Sequence, residues 1–208
     1  MPRNGVREQT AYLRASAASL AEAIAAETPA PAAMGRPCLV LLIGLPASGK
    51  SHVARLLAER VGAITVASDA LRRRLFIAAS YTPAETTAVF ALAHELARRL
   101  LLRGHVVILD ATSLQERQRA PLYAIARDAS APLVLIRVVA SEAAIKDRLG
   151  RRGAGASPID ASDADWSIYQ MMRERYEEPT RPYLTIDTSG DLDAELARAV
   201  EAIRLACV

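Results

Sequence analysis

The chain of 208 residues is 51% hydrophobic and 24% charged with a net charge of +3, which fits one self-sufficient domain of about 150–200 residues carrying an extension. Aromatic residues make up 4% of the chain, too few for a surface that stacks successive bases, and the interspersed, mildly basic charge is weak evidence for nucleic acid. Cys38 and Cys207 lack C-x-x-C or Cys/His spacing, which argues against a zinc site or structural disulfide, and with no membrane-length apolar run or signal-peptide core the expected compartment is the cytoplasm.

Residues 7–27 read as an amphipathic helix with Leu13, Ala17, Leu20 and Ile24 on one stripe. The Pro- and Ala-rich stretch 28–37 breaks it, so residues 1–36 are expected to form a helix and linker and 37–208 the domain proper. That helix packs on the core, engages a partner or a second copy, or is a disordered leader. The next element, Cys-Leu-Val-Leu-Leu-Ile at 38–43, is a continuous apolar run of the kind buried on both faces of a parallel sheet.

Directly after it stands Gly44-Leu45-Pro46-Ala47-Ser48-Gly49-Lys50-Ser51, a complete G-x-x-x-x-G-K-S phosphate loop. Its glycines let backbone N–H groups close around a polyphosphate, Lys50 reaches the β and γ phosphates, and Ser51 offers a hydroxyl to Mg²⁺. The chain has two lysines against 24 arginines, so a lysine here marks a place where a compact point charge is required. Val53, Leu56, Leu57 and Val61 then recur at helical spacing until Gly62, which puts a helix N-terminus and its dipole behind the loop. Gly44, Pro46, Ala47, Ser48, Gly49, Lys50, Ser51 and His52 are the candidate nucleotide contacts.

Further strands are expected at 64–67, 105–110, 132–139 and 183–186, and helices from about 69, then at 83–104, 114–130, 141–149, 163–178 and 192–205. Residues 151–162, rich in Gly, Ala and Arg, read as a mobile segment. Strands separated by helices imply a parallel sheet covered on both faces, with ligands at the carboxyl ends of the strands.

Asp69 follows the second strand, where a carboxylate can take the proton of a hydroxyl attacking the γ-phosphate; Ser68 or Asp69 can equally cap the next helix. Asp110 ends the strand at 105–110 and either orders Mg²⁺ or is a polar terminus before Thr112 and Ser113. Arg72, beside Asp69, is placed to clamp an anionic acceptor, with Arg73 and Arg74 facing solvent. Arg148, Arg151 and Arg152 flank the mobile segment, either as lid cations that close on phosphate or as a solvated helix end. His52, His94 and His105 share no triad or metal spacing.

The loop, Ser68-Asp69 with Arg72, Tyr81-Thr82 before a long helix, Val107 to Thr112 with Arg117 downstream, and Arg148 to Arg152 ahead of Ser162-Asp163-Ala164 resemble the kinase domain of polynucleotide-kinase-like P-loop phosphotransferases. A similar domain occurs fused to aminoglycoside-phosphotransferase-like domains in bacterial ATP-binding proteins. The resemblance spans roughly residues 38–205. It implies a nucleoside-monophosphate-kinase-like α/β fold with a five-stranded parallel sheet in order 2-3-1-4-5. It also implies Asp69 as general base, Arg72 and Arg117 on the acceptor, Lys50 with Arg148 and Arg152 at the transferring phosphate, Arg148, Arg151 and Arg152 on a lid, and Ser51 and Asp110 at the metal. ATP and Mg²⁺ are the expected cofactors. The expected activity is transfer of the γ-phosphate to a hydroxyl, first a polynucleotide 5′-OH end. The alternatives are an antibiotic, sugar or nucleoside hydroxyl, or a non-catalytic ATP-binding switch whose N-terminal helix meets a partner.

Overall fold

A computed structural model describes residues 3–31, 36–78, 80–153 and 166–207, with backbone alone for 3–14 and 152–153. Strand β1 (Cys38–Ile43) is buried along its whole length, and the two-residue period of a strand sorts its side chains into two layers. Leu39, Leu41 and Ile43 join one core cluster; Cys38, Val40 and Leu42 join the other. A strand apolar on both faces is stable only between two helical layers, and each fully buried Leu or Ile contributes about 1.5–3 kcal/mol.

The phosphate loop leads into α2 (Lys50–Val61), which Gly62 ends in the left-handed conformation, φ 67°. β2 (Ile64–Ala67) runs straight into α3 (Ser68–Leu75). α4 (Pro83–Leu102) starts with Pro83 in its first turn and with Thr82 accepting the Glu85 N–H at 3.2 Å. Then come β3 (Val106–Asp110), α5 (Glu116–Asp128), β4 (Leu133–Val139), α6 (Glu142–Gly153), α7 (Trp166–Glu174), β5 (Leu184–Asp187) and α8 (Leu192–Ala206). The strands form one parallel sheet in the order β2-β3-β1-β4-β5, as expected.

The N-terminal helix α1 (Arg3–Glu27) lies on α4. Ala17, Ala21 and Ala25 are buried in the same cluster as Val89, Ala93 and Leu96, and the Arg103 guanidinium donates to the Thr28 carbonyl at 2.9 Å. Small side chains on both helices let the backbones approach closely, and Leu20 and Ile24 of the stripe pack against the same cluster, while the Leu13 side chain lies outside those described. Ala21→Leu overfills this contact and is expected to cost about 1–3 kcal/mol, read as a fall in Tm; an unchanged Tm means that α1 is not docked in solution.

Several element boundaries differ from the sequence reading by one to four residues. α7 ends at Glu174 and not at 178, and Pro179 keeps Glu178 itself out of helical backbone. The Glu177 N–H instead donates to the Leu114 carbonyl at 2.9 Å. Residues 151–153, expected to be mobile, instead continue α6 through Gly153, with the Arg151–Asp147 pair at 3.0 Å supporting its last turn. The rest of that segment, 154–162, lies outside the described residues, as do 163–165 of the expected helix. Finally, β5 is shifted one residue along, to Leu184–Asp187.

Candidate active site

Register places the chemistry. Ala67 of β2 and Leu42 of β1 both lie opposite Asp110 of β3, so the phosphate loop, Asp110 and Ser68-Asp69 emerge at one edge of the sheet. Gly44 is required there by space: a Cβ would stand 2.4 Å from the Val138 carbonyl oxygen and 2.9 Å from Ser48 Oγ. Ala47 and Gly49 both adopt positive φ, 59° and 93°, which turns successive N–H groups inward as an anion nest demands. Ala47 does so at the steric cost of its Cβ, a strain of the kind that functional loops hold.

Lys50 is 9% exposed, and its ammonium donates to the Leu45 carbonyl at 3.0 Å, which folds the side chain across the loop mouth. Ser51 and His52 are exposed on the first turn of α2. Asp110 is 8% exposed at the end of β3. Asp69 keeps an exposed surface, yet the protein around it raises its carboxyl above the ordinary Asp value; the Asp110 carboxylate adds to this, while Lys50, Arg72 and Arg73 act in the opposite sense. Asp110 at the end of β3 and Ser51 on the first turn of α2 are oxygen donors of the kind that fit a hard, hydrated Mg²⁺.

Arg72 is 7% exposed, unlike its exposed neighbours Arg73 and Arg74. Its guanidinium lies 4.6 Å from the centre of the Tyr81 ring, and Tyr81 itself has φ 53°. Its polar contacts are long: Thr86 Oγ1 at 3.5 Å and Glu85 at 3.8 Å, with Nε and one terminal nitrogen making no hydrogen bond. This buried guanidinium, loosely paired with Glu85, retains hydrogen-bonding capacity that an anion could use.

Arg148 is not extended toward the loop's front. It donates to the Ala47 carbonyl at 3.1 Å, to Thr188 Oγ1 at 2.9 Å and to the Thr188 carbonyl at 3.0 Å, tying the back of the loop to the end of β5. Thr188 completes the tie through the Ser48 carbonyl at 2.8 Å. Sequence reasoning missed Thr188; the signal was Thr188-Ser189-Gly190, turn residues at the end of the last strand. Arg151 is exposed and paired with Asp147, and the side chain of Arg152 lies outside the described residues.

Arg117 is exposed, with its guanidinium on Gln115 Oε1. Two residues on, Arg119 is 0% exposed and bonds Glu116 at 2.9 Å, the Ser113 and Leu114 carbonyls at 3.0 Å and the Glu177 carbonyl at 2.8 Å. It fixes the loop after Asp110 to the segment after α7. Arg119→Met removes every one of these donors and is expected to cost about 3 kcal/mol, a drop in Tm of roughly 6–12 °C for a chain of this size; Arg117→Met is expected to leave Tm unchanged.

A five-stranded parallel sheet with a G-x-x-x-x-G-K-S loop at its ligand edge, Asp110 ending the adjacent β3 and Asp69 just after β2, defines a P-loop nucleotide-binding domain with a kinase-like fold. Residues 39–179 match the family described as an AAA domain, and the chain belongs to that family. An uncharacterized protein of Mycobacterium tuberculosis (strain ATCC 25618 / H37Rv) is 34% identical over 148 residues, which are 62% of this chain and 30% of that relative; the chain thus corresponds to under a third of the relative's length. Among solved structures, the Mycobacterium tuberculosis APS kinase CysC in complex with AMPPNP and APS superposes with a TM-score of 0.62 at 21% identity, over 81% of this chain and 98% of that one. Chaetomium thermophilum Kti12 in complex with ADP-AlF3 gives a TM-score of 0.64 at 22% identity, over 82% and 99%. Among the described residues, no helix is long and apolar enough to cross a membrane.

Proposed function

We propose that this chain is an ATP- and Mg²⁺-dependent phosphotransferase that moves the γ-phosphoryl group to a hydroxyl acceptor. The observation that carries the reading is the convergence of Lys50, Asp69 and Asp110 at the ends of three adjacent strands, close enough that Lys50 and Asp110 both act on the Asp69 carboxyl. Loop amides and Lys50 hold the β and γ phosphates. Asp69 accepts the proton of the acceptor hydroxyl as its oxygen bonds to the γ-phosphorus and the bond to the β-phosphate bridging oxygen breaks; ADP and the phosphorylated acceptor result. Ser51 and Asp110 are the residues to hold Mg²⁺, which when bound spreads charge between the β and γ oxygens. Arg148 and Thr188 keep the loop backbone in its phosphate-ready shape. Arg151 and Arg152 stand at the start of the proposed lid.

The open donors of Arg72 suit an acceptor that carries an anionic group near its hydroxyl. A polynucleotide 5′-hydroxyl end meets that requirement, as does a small anionic molecule. In this reading the exposed Arg117 lies along the acceptor's path. Labelled-phosphate transfer from ATP to 5′-hydroxyl oligonucleotides, nucleosides, sugars and aminoglycosides tests it. Transfer to one class identifies the acceptor. ATP binding with no transfer to any of them leaves a nucleotide-binding switch as the function.

A further inference from the structure

Arg72 and Glu85 face each other from two helix ends. Arg72 stands in the last turn of α3 and Glu85 in the first turn of α4, where the helix dipoles favour a cation and an anion respectively. Both side chains are nearly buried, 9% and 14% exposed, and Arg72 Nη1 lies 3.8 Å from Glu85 Oε2. That separation makes an ion pair but is too long for a hydrogen bond.

The contact is long because each partner is held elsewhere. Glu85 Oε2 accepts the Ser80 N–H at 2.9 Å, and the Glu85 N–H donates to Thr82 Oγ1 at 3.2 Å, so the carboxylate is pinned to the backbone ahead of α4. Arg72 lies against the Tyr81 ring at 4.6 Å and donates to the Thr86 hydroxyl at 3.5 Å. Glu85 therefore offsets the charge of the guanidinium without occupying its N–H groups. An anion that bonds to Arg72 also comes within reach of Glu85, and the repulsion is little screened because both groups are shielded from water.

Resting on the reading above that Arg72 meets an anionic group of the acceptor, we propose that Glu85 is a specificity-determining residue of that site and selects acceptors whose anionic group carries a single negative charge. Attraction to Arg72 and repulsion from Glu85 both scale with the ligand's charge. The pair thus gives a doubly charged phosphomonoester no electrostatic advantage over a singly charged group. The cost of taking the ligand out of water grows faster, as the square of its charge, and holds the dianion back. Access runs past Tyr81: its ring covers the guanidinium, yet the residue is 49% exposed and holds φ 53°. What an acceptor displaces is at the surface and not in the core.

Calorimetry on the full chain, with AMPPNP·Mg²⁺ saturating the phosphate loop, tests this with two probes. Dimethyl phosphate is the singly charged one; inorganic phosphate at about pH 8 is mostly a dianion. Wild type is expected to bind dimethyl phosphate the more tightly. Glu85→Gln keeps an oxygen for the Ser80 N–H and removes the charge, so Tm and AMPPNP affinity are expected to hold. The same variant is expected to tighten dimethyl phosphate roughly threefold and inorganic phosphate roughly tenfold, the second factor being about the square of the first because the ligand charge doubles. Arg72→Met is expected to abolish binding of both probes. A Glu85 that only shaped the loop would lower Tm on substitution and change both probes alike. Equal factors, no change, a wild-type preference for inorganic phosphate, binding that survives Arg72→Met, or no binding of either probe to wild type and Glu85→Gln each overturn the proposal. Should Arg72→Met misfold, the two factors in Glu85→Gln decide. Failure of wild type to bind AMPPNP, seen before any anion is added, overturns the nucleotide reading itself and the proposal with it.

Discussion

Lys50→Ala is expected to lower phosphoryl transfer by at least about 10²–10³-fold while the folded chain survives. The side chain crosses the loop mouth to the Leu45 carbonyl, and in the proposed function its charge serves the phosphates and not the core. Removing one preorganised electrostatic contact from a transition state typically costs that much. Lys50→Arg is expected to fail too, since a planar guanidinium cannot occupy the place of a compact ammonium in a closed loop. Labelled-ATP transfer together with a thermal melt checks this. Full activity in a folded Lys50→Ala protein would remove the phosphate-loop assignment.

The second large effect is at Asp69. Asp69→Asn removes the proposed proton acceptor and is expected to lower kcat by about 10²–10⁴. ATP affinity is expected to hold, because the change also removes the repulsion between Asp69 and Asp110. The pH profile gives an independent readout. A base works only when deprotonated, so activity falls as pH drops through the Asp69 value. That value stands above an ordinary Asp through burial and the Asp110 charge. The acid limb of the profile is therefore displaced upward in the native protein and absent in Asp69→Asn. A variant that loses ATP binding, yet turns over normally per bound nucleotide, would make Asp69 a nucleotide or metal residue.

Arg148 carries a different kind of consequence. Its three bonds to Ala47 and Thr188 make it a brace of the loop backbone in the state described. Its influence on catalysis then runs through loop shape, and a lid role requires it to leave that brace.

Much of the architecture was legible because it is local. The apolar run of β1, the glycines and lysine of the loop, the helical period up to Gly62 and the acids ending or following strands each depend on a few neighbouring residues, so composition and spacing suffice to read them. The 2-3-1-4-5 order came from the resemblance those motifs carry, and the sheet has it. What the sequence could not decide was every contact between distant segments. Arg117 and Arg119 look equivalent in the chain, but only the packing of the 113–119 loop on 177–178 buries Arg119 and leaves Arg117 in solvent. Arg148 meets Thr188 across 40 residues and Ala47 across 101. The stripe of α1 meets α4. Local preference fixes what each segment becomes; strand order and close packing, which act at long range, fix what it touches.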